Sequence, residues 1–254
     1  MRISLVTRFL LCAALPLLLA ACAKTPTTDT AATNSRLIDV SMTLRGAINP
    51  NYYYFVLLNR TNAISDSGPV PVVAPPWGNG FAAAGPQSDA QGFVACVVFR
   101  NNNFEVFKVP TDANNIPVAK PYNLGTGTTG FVSLGQPDQY TTPATGDHTL
   151  RFRLDLSRLP NPTARYLAVN LLATNNLPAG VDPAAPKLWD ALGNGAATGE
   201  INSFFVLDVT QSQRRDNATA TTPEPANDVR DHLGAIVDEP SLDITDYSVQ
   251  VLSK

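Results

Sequence analysis

The sequence is poor in charge, in cysteine and in histidine, and each shortage narrows the chemistry that the protein can perform. Charged residues make up 15% of its 254 positions, against about 25% in ordinary soluble domains. Lysine and arginine never cluster, since the tightest basic pair, Arg214-Arg215, is followed at once by Asp216. Because binding to phosphates needs such a cluster, we expect no nucleic acid among the partners of this protein.

Cysteine and histidine are too scarce for the commonest nucleophile and zinc sites. Three cysteines and two histidines occur. Cys96 stands in an apolar stretch that predicts a buried strand, where a thiol is a small and inert apolar group. His148 and His232 lie far apart in the chain, and no Gly-x-Ser-x-Gly motif occurs. We therefore expect no catalytic residue and no zinc site, and a non-enzymatic role is the favoured hypothesis.

The first 22 residues have the three-part layout of a secretory signal. Arg2 and Arg8 supply positive charge, an apolar run extends from Phe9 to Ala20, and Leu19-Ala20-Ala21-Cys22 ends the segment. The apolar run is too short to cross a bilayer as a helix, which needs about twenty residues. This layout predicts export rather than a membrane-spanning helix.

The closing tetrapeptide resembles the lipobox of bacterial lipoproteins. The resemblance implies that residues 1–21 are removed, that the sulfur of Cys22 receives a diacylglyceryl group, and that the new amino terminus is acylated. Ala23 follows the cysteine, whereas an aspartate there marks retention in the inner membrane of enteric-type bacteria. The family's sorting rule therefore implies a protein of the cell envelope, held in the outer membrane by the lipid on Cys22.

Beyond Cys22 the chain is first polar and then regularly patterned. Residues 22–36 have no apolar period and predict a flexible, lipidated tether. No long linker divides residues 37–254, which predicts a single domain for this part of the chain.

Alternation of apolar and polar residues predicts β-strands in this domain. Residues 38–45 and 150–156 alternate without error, as half-buried strands do, whereas 51–59 is apolar on both faces, as a central strand would be. Further strands are expected at 91–99, 103–109, 129–134, 165–173, 202–210 and 246–252. The single helix candidate is 187–192. About nine strands predict an all-β fold, a single antiparallel β-sandwich, and the domain resembles lipid-anchored sandwich proteins of jelly-roll or carbohydrate-module architecture.

The last strand contains a conflict of parity that predicts a local irregularity. Leu242 and Ile244 would face one side of a regular strand, whereas Tyr247 and the apolar residues after it would face the other. A β-bulge near Thr245-Asp246 would turn both sets toward the core.

Three long segments interrupt the strands, at 66–90, 174–201 and 211–232. Long loops within a compact domain are commonly functional or disordered, so a binding site is expected there. Four aromatic residues are the candidate ligand contacts, because sugar rings stack on such side chains: Trp77, Trp189, Tyr52 and Tyr54. The alternative is that the two tryptophans close the ends of the sandwich as buried lids.

An acidic group before the last strand is a candidate Ca²⁺ site, formed by Asp238, Glu239, Asp243 and Asp246. Ca²⁺ takes six to eight oxygen ligands, and these carboxylates could supply several of them. The glycine-bearing loop of known calcium motifs is missing, and a solvated acidic turn is the alternative interpretation.

The favoured hypothesis is a lipid-anchored, non-enzymatic binding module for a glycan or a partner protein. A structural or assembly lipoprotein of an envelope complex is the alternative. A hydrolase that uses the acidic group at 238–246 is the least favoured.

Overall fold

Two antiparallel β-sheets make up the described part of the protein. The computed structural model describes residues 36–64, 68–69, 93–109, 131–177, 187–193, 204–221 and 223–253. Within these ranges there is no α-helix, and hence no helix long and apolar enough to span a membrane. Helical structure there is limited to two 3₁₀ turns, Leu156–Arg158 and Asn217–Thr219. The prediction of an all-β fold is confirmed.

Twelve strands are present among the described residues. In chain order they are β1 (Arg36–Leu44), β2 (Tyr53–Thr61), β3 (Ala95–Arg100), β4 (Asn103–Lys108), β5 (Val132–Gly135), β6 (Gln139–Thr141), β7 (Thr149–Asp155), β8 (Tyr166–Thr174), β9 (Trp189–Ala191), β10 (Phe205–Asp208), β11 (Gln213–Asp216) and β12 (Ile244–Ser253). The five-stranded sheet has the order β11-β12-β1-β7-β6. The seven-stranded sheet has the order β10-β8-β2-β3-β4-β5, with β9 paired to β8 beside β10.

The first and last strands of the domain lie side by side. β1 pairs along its whole length with β12, so that Arg36 stands opposite Ser253. The other edge of β1 pairs with β7. β1 therefore occupies the centre of the five-stranded sheet.

The two sheets differ in how many of their faces are buried. Burial alternates along β1, with Val40 inside and Asp39 and Ser41 partly open to solvent, because one face of the five-stranded sheet is turned to the core and the other to water. Every position of β2 from Tyr54 to Arg60 is buried. The expectation that this apolar segment forms a central strand is confirmed.

One apolar core is shared by both sheets. Residues from the five-stranded sheet, such as Ile38 and Val249, pack in the same cluster as Val56 and Val97 of the seven-stranded sheet. The arrangement is therefore sandwich-like. A second cluster lies on the opposite face of the seven-stranded sheet and includes Cys96, whose thiol pKa is raised well above its ordinary value by burial.

The β-bulge expected near Thr245-Asp246 is confirmed. Thr43 of β1 stands opposite Asp246, but the next residue, Leu44, stands opposite Ile244, so Thr245 has no opposite residue on β1. The extra residue changes the parity of the strand. Ile244 and Tyr247 are consequently both buried.

All nine expected strands are present, but the strand count was too low and the helix expected at 187–192 is wrong. The three additional strands, β6, β9 and β11, have only three or four residues each. Trp189–Ala191 forms β9 instead of a helix. The pairing of β10 with β8 ends before Leu172, so the backbone of Leu172–Thr174 is open on that edge and pairs with β9. A proline before and a glycine after a segment mark the ends of a strand as well as those of a helix.

The β3–β4 hairpin has a tight turn whose two residues adopt positive φ angles. Its two turn residues, Asn101 and Asn102, have φ of 51° and 58°, as the type I′ turn requires. We expect Asn102→Ala to lower the free energy of unfolding by about 1 kcal/mol, because a Cβ without a local hydrogen-bonding group is disfavoured at positive φ. Asn102→Gly should leave stability unchanged or raise it slightly. Urea unfolding of the two variants measures this difference, and equal midpoints would contradict the assignment.

Candidate functional site

The acidic residues grouped by the sequence analysis do not share one environment. Asp243 is buried, whereas the side chain of Asp238 is 80% exposed, and the guanidinium of Arg45 forms ion pairs with both. Glu239 is partly buried and Asp246 is exposed. Arg45 therefore supplies the positive charge that balances Asp243, and binding of Ca²⁺ by this group of four remains a prediction.

The aromatic candidates within the described residues serve mainly to hold the fold together. Trp189 is 1% exposed and Tyr54 is 2% exposed. The Tyr54 hydroxyl donates to the Ser241 carbonyl at 2.8 Å and accepts from the Asn49 amide at 2.9 Å. Neither ring offers a free face to a sugar. Tyr52 is partly buried, with its hydroxyl directed at Glu239, and Trp77 lies outside the described residues.

A different set of carboxylates converges in the interior of the protein. Asp190 is the middle residue of β9, and Glu224 and Asp228 lie between β11 and β12. One carboxylate oxygen of each lies within 4.8 Å of one oxygen of the other two. The three residues are 2%, 5% and 7% exposed, respectively. We refer to Asp190, Glu224 and Asp228 as the acidic cluster.

Two backbone amides orient the acidic cluster. The Ile244 amide donates to Oδ2 of Asp190 at 2.7 Å, and the Gly193 amide donates to Oε2 of Glu224 at 2.7 Å. Oε1 of Glu224 and Oδ1 of Asp228 are buried and have no hydrogen-bond partner in the described part of the chain. Two oxygens of the acidic cluster therefore accept backbone hydrogen bonds, and two others remain without a donor.

Burial and mutual repulsion disfavour the ionised forms of these carboxylates. Burial, followed by the charge of Asp228, raises the pKa of Asp190 well above its ordinary value. Burial and the charge of Asp190 likewise raise the pKa of Glu224. Burial and the charge of Asp243 raise the pKa of Asp228. The close approach of these three carboxylates therefore requires that they bind either protons or a cation.

The acidic cluster could not be recognised from the sequence alone, because Asp190 is far in the chain from Glu224 and Asp228. Two local signals could have drawn attention to them. Asp190 interrupts the apolar run Leu188-Trp189-Asp190-Ala191-Leu192, and Glu224 stands between two prolines. A charged residue within an apolar run is rarely buried unless it is paired or binds a metal.

The solvent-facing side of the five-stranded sheet carries an open depression, which we call the polar cleft. Its volume is about 420 Å³. Two rows of polar side chains cross four strands there: Gln250, Asp39, Arg153 and Gln139 in one row, and Ser248, Ser41, Arg151 and Thr141 in the other. The strict alternation of β1 and β7 places these side chains together.

Charged groups give the polar cleft its chemistry. Arg153 binds both carboxylate oxygens of Asp39, with one contact at 2.6 Å, and its Nη1 donates to Gln139 at 3.3 Å. Arg151 is exposed, and its guanidinium forms no hydrogen bond or ion pair with any described residue. Tyr140 lies on the edge strand β6 and is 36% exposed, with its ring 5.5 Å from that of Phe104. The cleft thus combines a neutralised ion pair and a free guanidinium, whereas the Tyr140 ring lies on the other face of β6, beside Phe104.

The described residues therefore hold two chemically distinct arrangements, an open polar cleft and a closed acidic cluster. The cleft can exchange hydrogen bonds with a ligand from solvent, whereas the cluster can bind only a small cation or protons. Comparison with known proteins yields no match to a family model, to a curated protein or to a solved structure.

Proposed function

We propose that the protein is a lipid-anchored module of the cell envelope that binds an acidic glycan in the polar cleft and catalyses no reaction. The observation that carries this proposal is the pair of polar rows across β12, β1, β7 and β6, with the free guanidinium of Arg151 in one of them. The lipobox resemblance of Leu19-Ala20-Ala21-Cys22 supports attachment to the outer membrane.

Sugar hydroxyls are matched by the groups that line the polar cleft. Hydroxyl, amide, carboxylate and guanidinium groups all occur there, and together they can both donate and accept hydrogen bonds. Arg151 adds a positive charge that can bind a carboxylate of a uronic acid in a bidentate manner. These features favour a sandwich of the carbohydrate-module type that uses the five-stranded sheet for binding.

The same lining favours a glycan over a partner protein. The centre of a protein–protein interface is usually depleted in charge and enriched in large aromatic and apolar residues. The centre of the polar cleft instead carries Asp39, Arg151 and Arg153 beside serines and glutamines. Asp39 is the one carboxylate among these lining residues, and glycoside hydrolysis usually needs two. A binding role therefore fits this site better than a hydrolase.

Arg151→Ala should weaken binding of an acidic polysaccharide about tenfold, because a charge-assisted hydrogen bond to a guanidinium contributes about 1.5–3 kcal/mol. The measurement is calorimetric titration of the detergent-solubilised full chain with oligogalacturonate, and with neutral dextran oligomers for comparison. Arg165→Ala is the matched control, because Arg165 is also exposed but pairs with Asp208 outside the cleft.

Two results would contradict the proposal. Equal losses of affinity in the Arg151 and Arg165 variants would show that overall charge, and not a contact in the polar cleft, determines binding. If the wild-type protein binds neither type of oligosaccharide, and crosslinking in intact membranes instead joins the cleft to one envelope protein, the assembly alternative would replace the proposed function.

A further inference from the structure

We propose that Asp190, Glu224 and Asp228 bind one Ca²⁺ ion, which ties β9 at the edge of the seven-stranded sheet to the segment between β11 and β12. This inference is independent of glycan binding, because none of the three residues lines the polar cleft. It also differs from the calcium site expected from the sequence, since it includes none of the residues at 238–246 that were grouped there.

An excess of negative charge is the first argument for a cation. The three carboxylates are at most 7% exposed and lie within 4.8 Å of one another. Burial raises the pKa of Asp228, and the charge of Arg230 opposes this rise and offsets part of the excess. Arg45 is already engaged by Asp238 and Asp243. Buried charges of one sign are normally paired or coordinate a metal.

Two unused oxygens are the second and separate argument. Glu224 is 5% exposed and Asp228 is 7% exposed. Oε1 of Glu224 and Oδ1 of Asp228 accept no hydrogen bond from any described residue. Buried polar atoms without a partner are rare in native proteins, and a bound ion or water is one of the standard explanations for them. A bound cation would satisfy both oxygens at once.

The geometry fits Ca²⁺. The oxygens of the acidic cluster lie within 4.8 Å of one another, which is close enough for one Ca²⁺ ion to contact all three at its usual metal–oxygen distance. Mg²⁺ usually takes only one or two carboxylates and keeps several waters, so three carboxylates favour Ca²⁺. The donor set consists of oxygen atoms alone, which hard cations prefer and which soft metals do not. Backbone amides of Ile244 and Gly193 donate to Oδ2 of Asp190 and Oε2 of Glu224, and hydrogen bonds of this kind orient metal-binding carboxylates.

The ion would connect segments that are remote in the chain. Asp190 belongs to β9, which pairs with β8, and its carboxylate also accepts the amide of Ile244 at the start of β12 in the other sheet. Glu224 and Asp228 belong to the segment that leads from β11 toward β12. Because Ca²⁺ would bind the folded protein and not the unfolded chain, it would raise thermal stability in proportion to its concentration.

Binding of Ca²⁺ to the detergent-solubilised full chain is the first test. After treatment with a chelator, calorimetric titration with CaCl₂ should give one equivalent bound and a rise of several degrees in the melting temperature. Tb³⁺ should show luminescence on excitation of tryptophan, because Trp189 precedes Asp190 in β9. CaCl₂ should displace Tb³⁺, and MgCl₂ should displace it less effectively.

Variants locate the site. Glu224→Gln should lower Ca²⁺ affinity at least tenfold, and Asp228→Asn should do the same. Asp238→Asn is the matched control. Asp238 belongs to the acidic group expected from the sequence, and its side chain is 80% exposed. The control should leave the affinity unchanged. Circular dichroism checks that each variant is folded.

The competing explanation is that the three carboxyl groups share protons. In that case the wild-type protein takes up neither Ca²⁺ nor Tb³⁺, its melting temperature does not respond to either ion, and Glu224→Gln is neutral or stabilising. Any such absence of uptake by the folded wild-type protein overturns the proposal, even if a variant fails to fold. Uptake that Asp238→Asn abolishes and Glu224→Gln leaves intact also overturns it.

Discussion

Replacing Cys22 with serine is expected to move the protein almost completely from the membrane fraction to the soluble fraction. A serine hydroxyl cannot form the thioether that holds the diacylglyceryl group in lipoproteins. A single acyl chain gives only marginal and reversible attachment, whereas several chains together anchor a protein stably. Ultracentrifugation of cell lysates and partition into a detergent phase measure the change, and intact mass determines whether the wild-type amino terminus carries lipid.

Cys12→Ser is the matched control for this experiment. Cys12 lies within residues 1–21, which the lipobox resemblance assigns to the removed signal, so its loss should leave membrane attachment unchanged. A wild-type protein whose amino terminus carries no lipid by intact mass would contradict the lipid anchor.

Phe99→Ala should lower the free energy of unfolding by about 3–5 kcal/mol, which is the usual cost of removing a buried aromatic side chain and leaving a cavity. Phe99 is 1% exposed in the shared core. Its ring centre lies 4.9 Å from that of Phe104 and 6.2 Å from that of Tyr54. Because small domains are stable by only about 5–15 kcal/mol, this single change should remove a large part of the total. Urea unfolding followed by tryptophan fluorescence measures it.

Val132→Ala provides the comparison for Phe99→Ala. Val132 also lies in the seven-stranded sheet but is 45% exposed, in β5. We expect its replacement to change stability by no more than about 0.5 kcal/mol. Similar losses in both variants would show that the core described around Phe99 does not dominate stability.

The regular strands could be predicted from the sequence because their burial follows a simple period. The alternation in β1 and β7 reflects a sheet with one dry face, and the continuous apolar run of β2 reflects a sheet buried on both faces. The bulge at Thr245 was also predictable, since two incompatible parities within one strand have few other solutions.

The short strands could not be predicted in the same way. β6 and β11 are mostly polar and have three or four residues, so they contain too few positions to show a period. Their existence depends on open edges of β7 and β12 rather than on their own composition. β9 was mistaken for a helix for the same reason, because the partner that determines its conformation is β8.

The two candidate sites differ in how far the sequence indicates them. The rows of the polar cleft follow from alternation, but their alignment requires the pairing of β12, β1, β7 and β6, which no local pattern specifies. The acidic cluster depends on bringing Asp190 to Glu224 and Asp228, which lie more than thirty positions later in the chain. Proximity in the chain suggested the residues at 238–246 as one site, whereas the fold places Arg45 between two of them.

The central position of β1 has a mechanical consequence. A force on Arg36 directed along β1 would act on a strand that is paired on one edge with β12 and on the other with β7. Hydrogen bonds between antiparallel strands lie perpendicular to the strands, so such a force would shear all of them together instead of unzipping them one by one. Both neighbours of β1 would therefore share a load applied in that direction.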